Sequence, residues 1–123
     1  MKNIKDEVYA ALLTVTEAVS DAYPKEWADD STIQYTEEQN SVYEATSGTG
    51  VKMREDKSQV RYRIDIWNRK STSATALAVD RAVSALGLKR TGCMDVSDPS
   101  GYKHKQMRYE GIIDMDSDYV YWE

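Results

Sequence analysis

The sequence predicts a single α+β domain: an antiparallel sheet of four to five strands with two helices packed on one face. Three observations lead there. Residues 60–67, Val-Arg-Tyr-Arg-Ile-Asp-Ile-Trp, alternate apolar and charged side chains with the period of a half-buried strand. Two other segments, 3–22 and 71–86, repeat apolar residues at spacings of three and four, as amphipathic helices do. Turn chemistry at Asp98-Pro99-Ser100-Gly101 separates two further strand-like runs. Helices set among half-apolar antiparallel strands bury their stripes on one sheet face and leave the other polar.

Each element has its own justification. In 3–22, Ile4, Val8, Ala11, Leu12, Val15 and Val19 form the apolar stripe, and Lys5, Asp6, Glu7 and Glu17 lie off it. Asn3 is the expected N-cap, Asp6 and Glu7 suit the positive end of the helix dipole, and Pro24 is the expected stop. Residues 24–31 read as a polar connection. Thr32-Ile33-Gln34-Tyr35-Thr36 alternates as a strand, which 41–45 continues. Ser47-Gly48-Thr49-Gly50 is a flexible turn and 51–54 a short returning strand, so 37–58 is expected to be a long hairpin whose 44–57 portion is a mobile polar loop.

The strand at 60–67 sets its own register. Val60, Tyr62, Ile64 and Ile66 face one way and Arg61, Arg63, Asp65 and Trp67 the other, so a slip of one residue would bury the charged set. Asn68-Arg69-Lys70 turns the chain, and Ser71 or Ser73 is expected to cap the next helix. That helix aligns Ala76, Val79, Val83 and Leu86, widened by Leu77 and Ala82, and Gly87 suits the residue just past its end. Residues 88–96, broken near Gly92, and 102–113 form the closing hairpin. His104, Gln106, Arg108 and Glu110 share one face of the return strand; Lys105, Met107 and Tyr109 share the other. The outward face of the sheet thus carries Arg61, Arg63, Asp65, Arg108 and Glu110.

Composition narrows the function. A chain of 123 residues is one domain by length and buries roughly two thirds of its unfolded surface. It has no Phe but nine Tyr and three Trp, side chains that suit half-buried sheet faces and protein interfaces. The net charge of −5 argues against a protein that tracks phosphates, because each basic cluster has acids beside it. A single cysteine, Cys93, excludes an internal disulfide and a zinc site built on cysteines alone. No apolar run nears the roughly 20 residues of a membrane span, and Met-Lys-Asn-Ile-Lys-Asp-Glu reads as the start of a helix with no secretory apolar region. A reducing cytoplasm is the expected place of synthesis.

The residues that could carry chemistry also fit ordinary structural roles. Cys93 with His104 and Asp95 or Asp98 would make a thiol triad only with the imidazole in reach and an electropositive pocket; the competing reading is a small core cysteine and a surface histidine. Asp114, Asp116 and Asp118 alternate as at the start of a calcium loop but lack its Gly and closing Glu, leaving a solvated acidic tail. Gly48-Thr49-Gly50 lacks the rest of any phosphate-binding turn. Arg61-Tyr62-Arg63 offers no base-stacking platform, since Tyr62 points inward and the arginines are placed to pair with Asp65 and Glu110. Neither a catalytic, a metal nor a cofactor-binding residue is assigned. The Tyr119-Val120-Tyr121-Trp122-Glu123 terminus has two readings, a tail packed on its own sheet or one docked onto a neighbouring subunit.

Taken in order, Tyr-Arg-Ile-Asp-Ile-Trp (62–67), the alanine-rich helix, Gly-Leu-Lys-Arg-Thr-Gly (87–92) and Asp-Pro-Ser-Gly-Tyr-Lys-His-Lys-Gln-Met-Arg-Tyr-Glu-Gly (98–111) resemble the tail completion proteins of long-tailed bacteriophages, also called tail terminators or tail-to-head joining proteins. The similarity covers about half the chain; the 44–57 segment and the C-terminal tail lie outside it. It implies a homo-oligomeric ring, typically a hexamer, that caps the finished tail tube, stops its growth and offers a docking surface to the head connector. Partners would be the major tail tube protein and the head completion protein, with DNA passing through unbound and no membrane involved. The location would be the head-proximal end of the virion tail. The acidic balance suits a ring through which DNA slides. The expected interface residues are Glu44, Val51, Met53, Arg54, Arg61, Arg63, Trp67, Tyr119, Tyr121 and Trp122. Another connector ring, such as a stopper on the portal, is the alternative within this class; a small Cys/His enzyme or a nucleic-acid-binding module are the alternatives outside it.

Overall fold

The computed structural model describes residues 1–47 and 52–123. The elements run α1 (Lys5–Leu13), β1 (Val19–Ser20), β2 (Thr32–Ser47), β3 (Met53–Asn68), α2 (Ser73–Ser84), β4 (Lys89–Val96), β5 (Lys103–Asp114) and β6 (Val120–Tyr121). The fold is α+β, with one six-stranded sheet ordered β1-β2-β3-β5-β4 and β6 paired to β5. The count exceeds the expected four to five because β1 and β6 are two-residue pieces, too short to leave an alternating pattern in sequence.

The register of β3 follows its alternation. Val60, Tyr62, Ile64 and Ile66 are fully buried and join Met107 and Tyr109 of β5 in the core, with Ile4, Val8 and Leu12 from the first helical segment and Ala76, Val79 and Val83 from α2. Two tyrosines place their polar tips at the edges of this core. Tyr62 Oη accepts the Ile4 N–H at 2.9 Å, and Tyr109 Oη donates to Asp80 Oδ1 of α2 at 2.9 Å. Each thus buries its ring without leaving the hydroxyl unpaired.

The first helix is shorter than its periodicity suggests. It ends at Leu13, before Pro24 can act, because Thr14-Val15-Thr16 is β-branched and its hydroxyls compete for backbone groups. Thr14 Oγ1 donates to the Ala11 carbonyl at 2.6 Å and Thr16 Oγ1 to the Ser31 carbonyl at 3.0 Å. The chain then pairs Val19 and Ser20 in parallel with Ile33 and Gln34. The cap position is Ile4; Asn3 instead accepts the Lys5 N–H from one residue further out. In α2 the cap is Thr72, without a side-chain bond, and Ser71 Oγ accepts the Ser73 N–H. Leu77 is exposed and does not widen the buried line, whereas Gly87 takes the expected left-handed conformation, φ +99°.

Residues 37–47 and 53–58 are paired strand, with register shifts at Glu38 and Tyr43 of β2 and at Asp56 of β3, so 44–47 and 53–57 are not loop. Val51 and the 48–50 turn lie outside the described residues. The closing hairpin has its bulge beside Gly92, between Arg90 and Gly92, and turns at Gly101, φ +83°.

Candidate interaction surface

The charged side of β3 and β5 is built by register. Arg61 lies opposite Glu110, Arg63 opposite Arg108, Asp65 opposite Gln106 and Trp67 opposite His104, so eight side chains share one face. Glu110 makes no ion pair there with either Arg61 or Arg63. The partner that sequence reasoning missed is Glu38. Where β2 slips between Glu37 and Gln39, the extra residue turns onto this face. Its carboxylate meets Arg108 Nε at 2.9 Å and both Arg61 Nε and Arg63 Nη1 at 3.3 Å. Burial pushes the Glu38 carboxyl up, but the Arg108 hydrogen bond and the three guanidinium charges outweigh it, leaving it below its usual range. Arg63 also binds Asp65 at 2.9 Å.

One end of this face is closed by the chain itself. Trp67, expected at a subunit interface, is 2% exposed. The 24–31 segment is more than a polar connection: it lays Trp27 against Trp67 and Tyr102, at ring-centroid distances of 5.6 and 4.7 Å, beside Tyr23 at 5.7 Å from Trp67. Beneath this aromatic cover lies His104, which is buried and not a surface residue. Its ring stacks on Trp67 at 4.4 Å; Nε2 faces Asp65 Oδ1 at 2.8 Å and Nδ1 faces Asp98 Oδ2 at 3.3 Å. Asp98 also accepts the Trp67 indole N–H at 2.9 Å. Hydrogen bonds from Ser100 and then Trp67 bring the Asp98 carboxyl down to about 2.

Cys93 is exposed rather than core, and it stands opposite Met107, on the side of the sheet away from His104. The thiol and imidazole are therefore not brought together. The 114–118 segment is a turn: Asp114 Oδ1 accepts the Asp116 and Ser117 N–H groups, and Asp116 meets Arg54 at 3.7 Å. Among the described residues no cluster of three His, Cys, Asp or Glu could hold a metal ion. Among them too, no helix is long and apolar enough to cross a membrane.

The other end of the face is open and aromatic. Val120 and Tyr121 pair with Ile113 and Ile112, so the tail does pack on its own sheet. Its outer side chains nevertheless remain in solvent: Tyr119 is 66% exposed and Trp122 54%. Tyr119 stacks on Tyr121 at 5.6 Å, Lys57 lies over the Tyr121 ring at 5.6 Å, and Lys89 lies over Trp122 at 5.0 Å. Tyr43 donates to Glu123 at 2.9 Å and, with Gln59, Glu110 and Trp122, lines a groove of ≈ 280 Å³. Further along the hairpin, Glu44 pairs with Lys57 at 3.2 Å, Arg54 with Asp56 at 3.5 Å, and Met53 is 65% exposed. The expected interface residues, Val51 and Trp67 aside, thus fall on the open face and the exposed end, and no bulge or aromatic cover was visible in the alternation that placed them. No family model matches this chain, and no curated protein matches it.

Proposed function

We propose that this chain is a structural assembly subunit, a tail terminator that works by ring formation and has neither a catalytic nor a cofactor site. In this reading both helices cover one face of the sheet and the other is covered by further polypeptides. The ring, a hexamer by the resemblance, caps the tail tube at its head-proximal end, halts its growth and presents a surface to the head connector; DNA passes through without being gripped. The observation that carries the reading is the exposure of Tyr43, Tyr119 and Trp122 at the open end of the charged face, where Tyr43 is tied to the tail through Glu123, with Met53 exposed further along the hairpin. Large apolar groups collected beside polar residues mark surfaces that other proteins cover. On the open face the three arginines are already engaged by Glu38 and Asp65, which favours a protein neighbour over phosphate.

The test replaces Tyr121 and Trp122 together by Ala. The double variant keeps the monomer's far-ultraviolet circular dichroism but loses association with rings or tail tubes, seen by sedimentation and negative-stain microscopy. Unchanged assembly would remove the tail from the interface, and a wild-type protein that neither forms rings nor caps tubes would overturn the reading.

A further inference from the structure

The two borders of the sheet differ in a way that suits them to each other. Among the described residues β1 covers β2 only at Ile33 and Gln34, and no strand lies beside the outer backbone groups of β2 from residue 35 to 47. That stretch is longer than the eight residues of β4, the strand at the opposite border. Open strand borders are normally guarded by Lys, Pro or bulges. β2 has no Lys, Arg or Pro among its sixteen residues and is guarded by its register shifts and its acids.

Charge separates the ways of filling this border. β2 carries Glu37, Glu38 and Glu44 and nothing basic, so two copies of β2 side by side would set acids against acids. β4 begins Lys89-Arg90; Arg90 is already paired with Asp80 at 2.9 Å, and among the described residues Lys89 makes no ion pair, so this border carries a free cation where β2 carries none. Direction agrees as well. Each step across β2, β3, β5 and β4 is antiparallel, so β2 and β4 run in opposite senses. A neighbour placed beside β2 by a ring rotation that keeps the strand axis presents its β4 antiparallel, and the sheet continues without a break.

We propose that β2 of one copy of this chain pairs with β4 of the next, a head-to-tail junction that carries one sheet from subunit to subunit. This rests on the ring reading and specifies its contact. Because the junction joins unlike borders, it propagates around a ring instead of stopping at a two-fold dimer.

The single native cysteine supplies the assay. Cys93 is exposed on β4, and Glu37, Asn40 and Val42 of β2 lie on the same side of the sheet as Cys93, opposite Tyr62, Val60 and Ser58. Within one chain β2 and β4 are separated by two strands, about 14 Å at the usual spacing, which a disulfide cannot bridge. Three variants, each carrying Cys93→Ser with one of Glu37→Cys, Asn40→Cys or Val42→Cys, are mixed with a size-tagged wild-type chain and oxidised with diamide. The expected result is a mixed disulfide dimer from at least one position, absent when either thiol is missing, with monomer circular dichroism unchanged. Homodimers of a β2 variant alone would show β2–β2 pairing and overturn the proposal. Oligomers on sedimentation with no mixed disulfide at any position would overturn it while leaving the ring intact. A chain that stays monomeric even with tail tubes would overturn both.

Discussion

Glu38 accepts a hydrogen bond from Arg108 Nε at 2.9 Å although the two are seventy residues apart, and the same carboxylate serves Arg61 and Arg63. One half-buried anion thus organises three cations from two strands, an arrangement that exists only because β2 bulges. Glu38→Gln leaves those guanidinium groups facing each other. The expected loss is about 1–2 kcal/mol, at the lower end of a buried pair because the arginines are partly solvated. Urea unfolding of the variant at low and high salt measures it, and salt narrows the gap.

Acid titration reads the same carboxylates. The Asp98 carboxyl sits at about 2 in the folded chain against an ordinary value of 3.8. A depressed carboxyl contributes stability that is fully present above its unfolded value and disappears as pH falls through the folded one. Glu38, also depressed, acts in the same sense. Thermal midpoints should therefore be level with respect to these two groups at neutral pH and decline from about pH 4 towards 2. Asp98→Asn should flatten part of that decline.

Two glycines with left-handed backbone give a graded pair. A Cβ at Gly87 would stand 2.3 Å from the Val120 carbonyl oxygen, whereas one at Gly101 meets nothing within 4 Å. Gly101→Ala should cost only the backbone strain, about 1–2 kcal/mol. Gly87→Ala should cost about 2–3 kcal/mol and displace β6. Near-ultraviolet circular dichroism, sensitive to Tyr121 and Trp122, should change for Gly87→Ala alone.

The tryptophans should divide by burial. Trp67→Ala removes a side chain packed between Tyr23, Trp27 and His104, and an expected loss of about 3–5 kcal/mol follows from the cavity and from the lost indole hydrogen bond to Asp98. Trp122→Ala should shift monomer stability by no more than about 0.5 kcal/mol. Chemical denaturation of both variants separates a core role from a surface one.

Cys93, being exposed, should react fully with a thiol reagent in the native protein. The informative quantity is the rate. With His104 on the other side of the sheet, it should match that of an unassisted thiol and be unchanged by His104→Gln. Rapid labelling that slows in the variant would revive the thiol enzyme.

Much of the scaffold was legible because it rests on local rules. The β3 alternation, the Asp98–Gly101 turn, the Gly87 helix end and the apolar line of α2 each follow from backbone geometry within a few residues. The limits of the first helix were also written in Thr14-Val15-Thr16, a β-branched run overridden in the reading by the apolar residues that continue at Val15 and Val19; both pack against the core, but from a turn and a strand.

The sequence by itself determined which side chains share a face, since a strand's period of two leaves no other choice. Only the tertiary structure decided what lies over each face. Trp67 and Arg61 alternate on the same side, yet Trp27 and Tyr102 bury the one and solvent reaches the other. His104 was assigned to its side correctly and to the surface wrongly, because its cover comes from residues far away in the chain. Periodicity records direction, whereas burial depends on distant segments meeting, and no window of local sequence contains that encounter.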